Sequence, residues 1–235
     1  MAGALRILAG ADVPLVVAGR TDAGVHAHGQ VAHIDVPTPE PFVLRKLNGL
    51  LPPDVRVFAI DVAPPGFDAR FSAVLRTYRY RVADSVVDPI RRRDTLAWPR
   101  SLDLSVMREA SAKLLGLKDF TAFCRAREGA TAIRHLTRLD WLRDDDGVLV
   151  ATVEADAFCH SMVRSLVGAL IAVGEERWPV DRPASLLGAD RRSDAVPVVP
   201  PHGLTLLSVG YPPDEELAAR AEQTRAVRQR DDLDC

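Results

Sequence analysis

The sequence predicts an α+β fold built on a mixed or antiparallel sheet. Three observations lead there. Segments of alternating apolarity recur along the chain, helix-period segments are interspersed with them, and "DDDG" at 144–147 joins two strand-like runs as a hairpin would. The 235 residues suit one large domain or two small ones. With 47% apolar and 26% charged residues, the chain has the composition of an ordinary soluble globular protein and needs no staples to hold a core.

Each element has its own reason. Residues 2–9, "AGALRILA", are helix-prone but too few to stand as a helix alone. "PLVVAG" (14–19) reads as a buried strand. "QVAHIDV" (30–36) reads as another, with Ala32, Ile34 and Val36 on one side and Val31, His33 and Asp35 on the other. "FVLRKLNGLLP" (42–52) has helical spacing at Val43, Leu44, Leu47 and Leu51, and "VRVFAIDV" (55–62) alternates as a strand. In "RTYRYRV" (76–82), Tyr78, Tyr80 and Val82 share a face, and the arginines lie mostly on the other. "DLSVMREASAKLLG" (103–116) is a helix that Asp103 can cap and Gly116 can end. "RHLTRLDWLR" (134–143) and "GVLVATVEA" (147–155) flank the hairpin turn. "DAFCHSMVRSLVGALIAVG" (156–174) is the strongest helix. Phe158, Met162, Leu166, Ala169 and Val173 make its stripe, and His160, Ser161, Arg164 and Ser165 fall on a narrow polar wedge. A proline-rich loop then leads to a last strand in "VVPPHGLTLLSVGY" (198–211).

Composition narrows the function classes. No apolar run reaches the ~18 residues of a spanning helix, and the start lacks the layout of a secretory signal, so a cytoplasmic protein is expected. Cys124, Cys159 and Cys235 show no metal spacing and read as separate reduced thiols. The net charge of −2 does not announce a nucleic-acid binder, but 27 of the 30 basic residues are arginine, which grips phosphate bidentately and stacks on bases.

The chemistry concentrates in "VVAGRTDAGVHAHGQVAHIDV" (16–36). Arg20 and Asp22 lie one residue apart at the end of a buried strand, and Gly19 and Gly24 let the backbone turn. An arginine beside an aspartate favours the ionised carboxylate, which can serve as base, covalent nucleophile or ligand. A structural ion pair explains these two residues equally well. A rival pattern is His26, His28 and His33 with Asp35, which a metal hydrolase could use, although no distant partner set completes a site.

The longer string "AGRTDAGVHAHGQVAHID" resembles the signature of the tRNA pseudouridine synthase A family. "GFDARFSAVLRTYRYRV", "FTAFC", "ADAFCHSMVRSLVGALIAVG" and "HGLTLLSVGYP" resemble that family's later motifs, in the family's order. The resemblance implies a pseudouridine synthase fold of two similar halves flanking an RNA-binding cleft. It implies isomerisation of uridine at tRNA positions 38, 39 and 40 in the anticodon stem-loop, by a homodimer that uses no cofactor and no catalytic metal. Asp22 matches the catalytic nucleophile and Arg20 the arginine that pairs with it and displaces the base. Tyr78 matches the tyrosine that stacks on the uracil, and Arg164 a basic residue near the aspartate. On this basis residues 1–70 form the N-terminal catalytic half, 71–212 the C-terminal half, and 213–235 a charged tail, disordered or a frayed helix.

Two departures stand beside the likeness. Members open with a strand carrying a Tyr-Asp-Gly motif, whereas the likeness here starts inside the family's first helix. That motivates a second expectation, a truncated and inactive RNA-binding relative. Ser165 stands where members often carry asparagine.

Overall fold

A computed structural model describes residues 1–127, 129 and 131–226. In chain order the elements are α1 (Ala2–Ala9), β1 (Val16–Val17), β2 (His26–Ala27), β3 (Ala32–His33), α2 (Leu44–Leu50), β4 (Leu75–Ala83), β5 (Leu96–Ala97), α3 (Leu104–Ala112), β6 (Gly116–Asp119), β7 (Ile133–Arg143), β8 (Leu149–Ala155), α4 (Met162–Gly174), β9 (Leu204–Gly210) and α5 (Leu217–Arg225). The expected α+β class is what forms. The described residues make two compact units: Met1–Gly19, Val31–Ala73 and Pro212–Arg225 in the smaller, Arg20–Gln30 and Val74–Tyr211 in the larger. The chain leaves the smaller unit after Ala73, and residues 20–30 belong to the larger unit.

In the smaller unit, Ala4 and Leu5 of α1 pack with Phe42, Leu47 of α2 and Leu51, as their helical spacing requires. β1 and β3 pair antiparallel over two residues each. The expected strand at 55–62 does not form. Its alternation describes a half-buried surface, but a strand needs a backbone partner, and here the Asn48 amide takes that place: its Nδ2 donates to the Val57 carbonyl and its Oδ1 accepts from the Val57 N–H, both at 2.8 Å. Phe58 and Val62 are left 81% exposed. Within the tail, Leu217–Arg225 form α5. Leu217 and Ala221 of α5, four residues apart, are buried. The Ser72 hydroxyl donates to the Leu217 carbonyl at 3.0 Å, and Arg225 pairs with Asp68 at 3.3 Å. The part of the tail expectation covering 227–235 lies outside the described residues.

The larger unit is organised by one mixed sheet in the order β2-β9-β4-β8-β7-β6, with β5 alongside β4. The β2/β9 and β4/β5 pairs are parallel and the rest antiparallel. β7 and β8 are the expected hairpin. Asp144 closes it, its carboxylate accepting from the Asp146 and Val148 N–H groups at 3.1 and 2.9 Å. Tyr80, Val82, Trp141 and Val153 turn one sheet face toward α3 and α4, and all four are fully buried. Asp103 caps α3 as expected, accepting from Ser105 and Val106. In α4, every residue but Arg164 is buried, and Arg164 is the helix's one charged side chain. Among the described residues no helix is long and apolar enough to cross a membrane.

Candidate active site

The site lies wholly in the larger unit and is built from three pieces of chain. The first is the loop carrying Arg20 and Asp22. The Asp22 carbonyl accepts from Val25 N–H at 3.0 Å, and Gly24, at φ +85°, supplies the left-handed residue that this tight turn needs. Immediately after it, His26 and Ala27 join the sheet parallel to β9, pairing with Thr205 and Leu206. His26 Nε2 donates to the Arg93 carbonyl at 2.7 Å, so this imidazole anchors the loop.

The second piece is the start of α4. The helix begins at Met162, six residues later than its sequence pattern suggests, because Ser161 adopts a left-handed conformation at φ 65° and interrupts the run. Phe158 and Cys159 therefore precede the helix. Phe158 meets Tyr78 edge to face, with ring centroids 5.1 Å apart. Cys159 and Cys124 stand as a disulfide-bonded pair with Cα atoms 5.7 Å apart, where the sequence suggested separate reduced thiols. Their separation of 35 residues along the chain says nothing of distance in the fold, where the turn at Thr121–Phe123 packs beside α4. Cys235 lies outside the described residues.

The third piece is β4. Tyr78 is 8% exposed and Tyr80 fully buried. Tyr80 donates its hydroxyl to the Pro200 carbonyl at 2.7 Å and is a satisfied core tyrosine. Burial pushes the Tyr78 phenol above its ordinary value; Arg76 opposes the shift and the nearby Asp22 charge adds to it.

These pieces converge on Asp22, whose side chain is 31% exposed. Arg164 Nη1 donates to Asp22 Oδ2 at 3.0 Å, and its Nε donates to the Val199 carbonyl at 2.8 Å. The 197–199 segment can lie this close to α4 because residue 168 is glycine; a Cβ there would stand 2.2 Å from the Pro197 carbonyl oxygen. His160 Nε2 is 3.3 Å from Asp22 Oδ1. Arg20 behaves differently from expectation. It is exposed, and no ion pair joins it to Asp22. The turn at 22–25 carries the carboxylate toward α4, so Arg164 becomes the cation that holds it. His160 lies before the helix, so only the fold, and not helical spacing, brings it beside Arg164 at Asp22.

The remaining basic residues sort by their partners. Arg81, 6% exposed, pairs with Asp144 at 2.9 Å and its Nε donates to Thr95 Oγ1, so it is neither solvated nor presented to a ligand. Arg91 pairs with Asp94 at 2.8 Å. The histidine cluster does not form: His33 accepts from Ala69 N–H at 2.9 Å in the smaller unit, and His28 is exposed. Among the described residues no three His, Cys, Asp or Glu side chains gather as a metal would require.

Comparison with known proteins gives the arrangement a context. Residues 110–212 match the profile of a family described as tRNA pseudouridine synthase. The chain is 61% identical over 220 residues to the tRNA pseudouridine synthase A of Frankia casuarinae, covering 92% of this chain and 80% of that one. The proteins of that name from Streptomyces griseus and Mycobacterium leprae are 55% and 52% identical, covering 91% and 92% of this chain and 78% and 82% of theirs.

Proposed function

The chain belongs to the tRNA pseudouridine synthase A family, and we propose on that premise that it isomerises uridine at positions 38, 39 and 40 of the tRNA anticodon stem-loop, with Asp22 as nucleophile. It is an isomerase: uridine in tRNA becomes pseudouridine, and no atom is gained or lost. The bond from ribose C1′ to uracil N1 breaks, the base turns, and C5 bonds to C1′; C5 loses a proton and N1 gains one. The carboxylate serves as covalent anchor, at C1′ or at C6 of the ring, while the base is detached.

The observation that carries this reading is the setting of Asp22. It is partly open to solvent, held by Arg164, and beside Tyr78. A tyrosine face is a platform for a base taken out of its stack, worth about 1–3 kcal/mol per base. Leaving the stack costs a few kcal/mol, and the exposed Arg20 is available to fill the emptied position. The same reading takes the protein as a cytoplasmic homodimer without a cofactor, and light scattering measures its oligomeric state.

The test is pseudouridine formation in an unmodified tRNA bearing uridine at positions 38, 39 and 40, with the Asp22→Asn variant in parallel. Product from the parent and none from the variant, with tRNA binding retained, is the expected result. Product at other uridines would move the substrate assignment, and turnover by the variant would remove Asp22 from its role.

A further inference from the structure

We propose that His160 is a positioning residue for Asp22, forming with Arg164 a two-point clamp that sets the plane of the attacking carboxylate. This rests on the reading of Asp22 as nucleophile. The two cationic or donor groups approach different oxygens: Arg164 Nη1 holds Oδ2 at 3.0 Å, and His160 Nε2 stands 3.3 Å from Oδ1. The torsion that orients an aspartate carboxylate is broad and roughly two-fold. One anchor leaves the group free to swing, and two define its plane. Reaction needs the attacking oxygen near its target at a set angle. Contacts of this kind are often long before substrate binds and tighten in the complex.

Helical spacing does not bring His160 and Arg164 together, because His160 lies before the helix. The segment is set by other means. Phe158 packs on Tyr78, Cys159 is tied to Cys124, and the His160 carbonyl accepts from Arg125 N–H at 3.0 Å. Ser161 then takes a left-handed conformation, which is unfavourable for a residue with a Cβ. Each neighbour of His160 is held, and the imidazole is directed at Asp22. Folding stability gives no reason for this arrangement. The His160 side chain is 45% exposed and that of Asp22 31%, and ion pairs so open to water contribute little to stability.

The experiment compares wild type, His160→Ala and His160→Gln for melting temperature, kcat and KM on the same tRNA. The glutamine amide reaches roughly as far as Nε2 and offers an N–H donor without the ring. Losing a donor that closes to a hydrogen bond with the charged carboxylate in the complex predicts a kcat roughly 10- to 100-fold lower in His160→Ala, with KM and melting temperature near wild type and substantial recovery in His160→Gln. Wild-type kcat in His160→Ala, or a loss confined to KM, would overturn the proposal; so would an equal loss in both variants. Imidazole 15N spectra supply a readout that needs no turnover. The signals missing from His160→Gln identify His160, and they should move in Asp22→Asn. Unmoved signals overturn the clamp. An inactive wild-type protein overturns the functional reading and the role with it, while the spectra still decide the contact.

Discussion

Arg20 separates folding from function at the scale of one residue. It is exposed and has no ion pair with Asp22, so its replacement should leave the melting temperature of Arg20→Ala within about 2 °C of wild type, as for a surface substitution. Turnover should nevertheless fall at least tenfold if the side chain fills the position that the flipped base vacates. A thermal melt and a pseudouridine assay on one preparation check both; full activity would remove Arg20 from the site. The motifs singled out Asp22, Tyr78 and Arg164, and the fold brings Arg164 to Asp22. The pairing within the motif was not legible in the sequence. Arg20 and Asp22 lie one residue apart in the chain yet form no ion pair, and the partner that meets Asp22 is 142 residues away. His160 escaped for the same reason, since its contact exists only once the chain has folded.

At the scale of elements, the ends of β4 and β7 are locked by one carboxylate. Asp84, just past β4, takes a bidentate grip from Arg143 at 2.7 and 2.9 Å and accepts from Leu102 N–H at 3.0 Å. The hydrogen bonds from Arg143 outweigh burial and hold the Asp84 carboxyl below its usual 3.8. A carboxylate depressed in the folded state stabilises the protein fully above that usual value, and the contribution disappears as pH falls through the lowered one. Asp84→Asn should therefore cost about 1–3 kcal/mol at neutral pH, and the gap should close below pH 3.8. Urea titrations across that range measure it; a gap independent of pH would contradict the assignment. The long elements β4, β7, β8, α3 and α4 were legible because each repeats its period several times. β2, β5 and β6 were missed because two to four residues carry no period. The 55–62 segment was misread because alternation reports a half-buried surface, not a hydrogen-bonding partner. Helix α5 was hard to see with Leu217 and Ala221 as its buried residues.

For the whole molecule, charge distribution matters more than net charge. A chain of net charge −2 with 30 basic residues can bind tRNA through local arginines, and such binding must weaken as salt rises. A plot of log association constant against log salt should be linear with a slope of about −3 or steeper, corresponding to several neutralised phosphates. A slope near zero would contradict a phosphate-gripping surface. The fold class was legible at this scale, and family likeness supplied the substrate. The chain's crossing between units at 20–30 was not legible, because two-residue pairing with β9 decides it. Asp22 is the residue on which the chemistry turns. The direct measurement is single-turnover pseudouridine formation in tRNA with uridine at positions 38, 39 and 40 by wild type and Asp22→Asn at matched occupancy. Complete loss of product in the variant, with tRNA affinity and melting temperature kept, is the expected result. Product formed by Asp22→Asn at a rate near wild type would contradict the claim that this carboxylate is the nucleophile.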